Sequence, residues 1–202
     1  MIDQLLETPR PYRGQIVRLE QPSNQQSAVL DLLVTRSDRP GADARRWRIQ
    51  ARGVLEFRIL SHEVESTALL ERHPLLWTYD QDELELYFHG HARDVHATIG
   101  RLYEAHASAG RGWISFDALF NEEMPLHSLL ASDSGLLARG PVPVIRAYQE
   151  VLEADGFRCS VINQGSMAID GVESPRVLIM GRSYVVATEF SAELVDHVET
   201  AT

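Results

Sequence analysis

The most regular alternation of apolar and polar residues runs through RRWRIQARGVLEFRIL, residues 45–60. Trp47, Ile49, Ala51, Gly53, Leu55, Phe57 and Ile59 take the odd positions, and Arg48, Gln50, Arg52, Val54, Glu56 and Arg58 take the even ones. This period of two predicts a strand with one face buried. A hairpin turning at Arg52-Gly53 would either mix the two faces or set arginines opposite each other, so one long strand bent at Gly53 is expected. GQIVRLEQ (14–21) and SAVLDLLVTR (27–36) predict two further strands flanking the loop PSNQQ. The second is apolar on both faces and reads as an interior strand. The loop SDRPGADA follows it. Near the C-terminus, RVLIMGRSYVVATEF (176–190) predicts a hairpin with Gly181-Arg182 in a type II′ turn. That turn pairs Leu178 with Val185 and Ile179 with Tyr184, which suits a hairpin deep in a sheet.

Helical spacing appears in three places. In residues 94–110, Asp94 is a natural N-cap, and Val95, Ile99, Leu102 and His106 share a face. In residues 142–157, Val144, Ile145, Tyr148, Val151 and Leu152 form an apolar stripe that Gly156 ends. SHEVESTALLERHP (61–74) predicts a short helix with Ser61 as N-cap, Glu63 and Glu65 in its first turn and Pro74 as its stop. LLWTY and ELELYFHG predict a hairpin across DQD, with Leu84, Leu86 and Phe88 facing away from Glu83, Glu85 and Tyr87. WISFDALF reads as a strand followed by a turn, FRCSVI as a strand, and residues 121–140 as an irregular boundary. The fold class expected is α+β, with mainly antiparallel sheets and two or three packed helices. A larger strand-rich unit over residues 1–121 and a smaller helix-plus-hairpin unit over 122–202 would pack closely together.

Composition narrows the chemistry. All 19 basic residues are arginine, so a phosphate-binding loop with its lysine, a lysine Schiff base and a kinase-type lysine are excluded. Such a bias fits GC-rich codons and a bacterial source. A single cysteine, Cys159, rules out an intramolecular disulfide or a thiolate zinc cluster and reads as an inert thiol beside Phe157 and Val161. The net charge of −10 argues against nucleic acid. It is unevenly spread: Arg36 to Arg58 holds seven arginines against three acids, or +4, and the rest of the chain carries −14. The arginine segment is therefore expected to face acidic ones. No apolar run approaches the roughly 18 residues that span a bilayer. The first residues carry acids early and do not resemble a secretory leader. A cytoplasmic location is the expectation.

Two groups of residues are candidate sites. The first is YFHGHARDVH, Tyr87 to His96, where His89, His91, Asp94 and His96 could bind zinc and activate water. It resembles the H-x-H-x-D-H loop of metallo-β-lactamase-like hydrolases, with the aspartate one residue and the last histidine two residues later than in that motif. The resemblance implies zinc and hydrolysis. The same letters also describe a strand ending at Phe88, a turn at Gly90, a helix capped by Asp94 and a histidine on its flank. The second group is Arg46, Arg48, Arg52 and Arg58, which share the even face of the long strand and suit a phosphate, a carboxylate ligand or an acidic partner. That face could equally be solvated and paired with Glu83 and Glu85. SDSGLL and NQGS read as turns, the acids of NEEM (121–124) as solvated, and no G-x-S-x-G or G-x-G-x-x-G occurs.

The leading expectation is a noncatalytic protein–protein interaction module, such as an adaptor, an inhibitor or an immunity-like protein. It would have a protein partner and no cofactor, nucleic acid or membrane. A metal-dependent hydrolase on His89, His91, Asp94 and His96 is the alternative, with zinc as cofactor, and small anionic-ligand binding is a third. An exposed edge at the apolar C-terminal hairpin would favour a homodimer.

Overall fold

The computed structural model describes residues 12–20, 27–36, 44–64, 66–166 and 174–198. The first residues and the loops after positions 20 and 36 lie outside these ranges. The chain is α+β and forms two compact units, one from residues 1–73 with 171–202 and one from residues 74–170.

The first unit is a seven-stranded antiparallel sheet. Its strands are β1 (Tyr12–Glu20), β2 (Ser27–Arg36), β3 (Ala44–Arg58), β4 (Glu63–Val64), β5 (Thr67–Leu70), β9 (Arg176–Met180) and β10 (Ser183–Val198), in the order β4-β1-β2-β3-β10-β9-β5. β2 is interior, and β3 is one 15-residue strand, both as the alternation predicts. Trp47, Ile49 and Ala51 enter a core with Leu178, Met180, Val185 and Phe190. The alternation does not hold to the end of β3. Gly53 takes φ +60, after which Val54 packs on the core while Leu55 and Phe57 are exposed. A left-handed residue and a bulge opposite Val186/Ala187 turn the strand about its axis there. The β9–β10 hairpin has the expected register, Leu178 on Val185 and Ile179 on Tyr184. Gly181 supplies the positive φ of its turn. The hairpin lies between β3 and β5, so neither of its long sides is an open edge.

The helix expected over residues 61–74 is absent. β4 pairs with β1, and β5 pairs with β9 through Leu69–Leu178 and Leu70–Val177. The Oγ of buried Ser183 accepts hydrogen bonds from Leu60 N (3.0 Å) and Ser61 N (3.3 Å). Those bonds hold the chain extended where a helix would begin. Val64 is buried, so strand pairing and burial override a short local helical signal.

The second unit is a three-stranded antiparallel sheet, β7-β6-β8, with four helices. Its strands are β6 (Asp82–His89), β7 (Ser134–Pro141) and β8 (Arg158–Ser166). The helices are α1 (Trp77–Asp80), α2 (Val95–Gly110), α3 (Leu126–Leu130) and α4 (Val142–Ala154). LLWTY is helical instead of the first arm of a hairpin, and WISFDALF contains a 3-10 turn over Phe116–Leu119 instead of a strand. The segment expected to be irregular contains α3 and β7. β6 pairs with β7 from Glu83–Pro141 to His89–Ser134, so the backbone ladder crosses residue 121. The units therefore divide at 73/74 and 170/171, where no ladder is cut, and not at 121/122.

Asp94 caps α2 as expected, with its Oδ1 accepting from Ala97 N at 3.0 Å. α4 lies on all three strands and packs against α2. Leu84, Leu86, Phe88, Leu102, Ile145, Tyr148 and Leu152 form the core between them. Cys159 flanks this core. Burial, helped by Glu153, pushes its thiol up to about 11, so it stays protonated at neutral pH.

Candidate functional site

The period-two pattern of β6 puts its leucines under the helices and Glu83, Glu85 and Tyr87 on the opposite face of the sheet. Glu85 is only 5% exposed. Its register partner on β7 is Arg139, whose Nη2 donates to Oε1. Oε2 accepts from the Tyr87 hydroxyl at 3.0 Å and from Gln164 Nε2 on β8 at 2.8 Å. All three strands are thus tied to one carboxylate. Burial pushes the Glu85 carboxyl up, but the hydrogen bonds from Arg139, Tyr87 and Gln164 together outweigh it, and the pKa falls below the ordinary 4.5.

A group whose folded pKa is depressed stabilises the fold above its unfolded value and loses that effect as the pH falls through the folded one. Glu85→Gln is therefore expected to lower the melting temperature at neutral pH. As the pH falls through the depressed folded pKa of Glu85, the variant's melting curve should converge on that of the parent chain. A constant difference across the acid range would contradict this role.

Beside the network lies an open cleft of about 450 Å³. Trp77, Leu119 and Phe120 supply its apolar surface, and Asp82, Glu83, Glu122 and Glu123 supply carboxylates. One wall is fixed by Asn121. Its N–H donates to Leu137 O at 3.0 Å, its Nδ2 donates to Leu136 O at 3.3 Å, and its Oδ1 accepts from Glu123 N at 2.9 Å. Phe120 stacks on Tyr148 with centroids 5.1 Å apart. Tyr148 in turn donates to His106 Nδ1 at 2.7 Å, and His106 Nε2 donates to Ile114 O at 2.9 Å. A carbonyl can only accept, so Nε2 of His106 carries a proton, and in that tautomer Nδ1 accepts from the phenol. Burial pushes the Tyr148 phenol well above its ordinary range, which keeps that proton in place. The wall carrying Glu122 and Glu123 is thus anchored in the core of the unit.

Electrostatics point the same way. Residues 74–170 contain fourteen acids and six arginines, a net −8 of the chain's −10. Of the six arginines, Arg139 is committed to Glu85 and Arg101 to Asp155.

Two of the four arginines of the sequence-predicted face lie near acids of their own sheet. Arg48 lies 3.7 Å from Glu193, and Arg52 lies 3.7 Å from Glu189. Arg46 is in register with Asp196, and Arg58 with Tyr184. Arg48 is also in register with Asp31 of β2, and Glu83 and Glu85 belong to the other unit.

The four histidine-stretch residues do not converge. His89 is exposed at the end of β6, and His91 Nε2 lies 3.1 Å from Asp133 Oδ1. Asp94 caps α2, and the His96 ring lies 5.2 Å from that of His127 on α3. Among the described residues, no group of three or more His, Cys, Asp or Glu side chains is placed to hold a metal ion.

Sequence reasoning missed the cleft. The acids of NEEM are exposed, as expected, but nothing local shows that β7 returns beside β6 and sets residues 118–123 around the same cleft as Trp77. No helix among the described residues is long and apolar enough to cross a membrane. Comparisons with protein-family models, with curated proteins and with solved structures found no match to this chain.

Proposed function

We propose that this chain is a noncatalytic protein-binding module whose 74–170 unit takes an arginine- or lysine-rich segment of a partner protein. The observation that carries this reading is the cleft itself, where four carboxylates border an apolar surface containing Trp77. A cationic side chain can lay its methylene stem on Leu119 and Phe120, place its charged end against the acids and use the Trp77 ring face. The excess negative charge of the unit steers such a partner from a distance.

A fluorescein-labelled oligoarginine peptide, followed by anisotropy, tests the reading. The expected result is saturable binding that weakens with added salt. The double variant Glu122→Lys/Glu123→Lys, at exposed positions, should weaken it by more than about tenfold, which corresponds to about 1.4 kcal/mol. Trp77→Ala should weaken it to a smaller extent. Absence of saturable binding, or binding indifferent to the charge reversal, would remove this function.

A further inference from the structure

We infer that His96 and His127 together form a binding site for a divalent transition-metal ion of the zinc or nickel type, bridging helices α2 and α3. The two imidazoles belong to different helices, 31 positions apart in sequence. Their centroids are 5.2 Å apart and their planes are inclined by 36°. A shared ion is compatible with that spacing. With a metal–nitrogen bond of about 2.0–2.1 Å and the ring centre about 1.1 Å beyond the nitrogen, two imidazoles at a tetrahedral angle place their centroids about 5.2 Å apart.

Both rings are exposed, so an ion reaches them without opening the fold. Both backbones are anchored. His96 lies in the first turn of the 16-residue α2. Next to His127, Leu129 and Leu130 are buried in the core of the unit. The segments around the pair are tied a second time, because Gly90 N donates to Asp133 O at 2.8 Å and His91 Nε2 meets Asp133 Oδ1. An ion therefore finds its two ligands already side by side on anchored backbone.

The other histidine-stretch residues are engaged elsewhere. His91 is paired with Asp133, and Asp94 caps α2. The ligand set thus keeps His96 from the sequence-predicted cluster and replaces the remainder with His127. Imidazole nitrogen suits zinc, nickel and copper(II), and a two-histidine site leaves further coordination positions for water. Such an ion would clip α3 to α2 and stabilise the folded unit by mass action.

The test uses the full chain, stripped of metal with a chelator and then titrated with zinc chloride by calorimetry, with melting temperature followed in parallel. One-to-one saturable binding and a rise in melting temperature are expected. His96→Ala and His127→Ala should each weaken binding by more than about tenfold, since even outer-shell changes at metal sites have effects of that size. His96→Asn serves as a second, more conservative replacement. Glu122→Lys/Glu123→Lys should leave zinc affinity unchanged. No saturable binding by the parent chain would overturn the site. So would binding that survives loss of both histidines, or binding abolished by the Glu122/Glu123 reversal, which would place the ion in the cleft.

Discussion

Leu86→Ala is expected to lower the stability of the 74–170 unit by about 2–5 kcal/mol, the range for truncating a fully buried leucine. Leu86 has no exposed surface and sits on the central strand, opposite Ala138 of β7 and Val161 of β8. Its side chain belongs to the core that includes Ile145 and Tyr148 of α4. Urea unfolding gives the free energy, and amide hydrogen exchange shows where it is lost. Accelerated exchange should concentrate in β6, β7, β8, α2 and α4. A loss under about 1 kcal/mol would mean that β6 is not the centre of this core.

Gly53→Val is expected to destabilise the seven-stranded sheet by about 1–3 kcal/mol from backbone strain alone, because a β-branched residue is poorly accommodated at φ +60. Sterics add to this. A Cβ at position 53 would lie 2.2 Å from Thr188 Oγ1, the atom that donates to Arg52 O at 3.1 Å. The two contributions separate experimentally. Thr188→Ala in the Gly53→Val background removes the Oγ1 contact and leaves the strain, so it should restore only part of the lost stability. Full recovery would show that φ at position 53 relaxes freely and that the bend in β3 is not enforced.

What could be read from the sequence follows the range of the interactions that set it. The β3 strand, the register of β9 on β10 and the capped helix α2 are specified by neighbours within a few residues. Each was legible in side-chain period, a turn glycine or an N-cap. The segment 61–74 carries an N-cap serine, early acids and a terminal proline, all of which point to a helix. Its conformation is instead set by Ser183 and β9, more than 100 positions away. The division into units was missed for the same reason: β6 finds one partner on β7 and the other on β8, beyond α4. The candidate site was legible only in parts. Glu83 and Glu85 were placed on the correct face, and the acids at 122–123 were noticed. Their assembly with Trp77 around one cleft depends on that long-range pairing. The arginine face was legible as a strip of charge, but not the approach of Glu193 to Arg48 and of Glu189 to Arg52 from a strand read mainly as a hairpin arm.

The central claim is that the acidic cleft receives a cationic segment. Hydrogen exchange of the parent chain, with and without saturating oligoarginine peptide, tests it most directly. The account predicts slower exchange in residues 77–83 and 118–123, with no comparable change along β3. Saturating peptide that leaves those two segments unprotected, or that protects residues elsewhere instead, would contradict it.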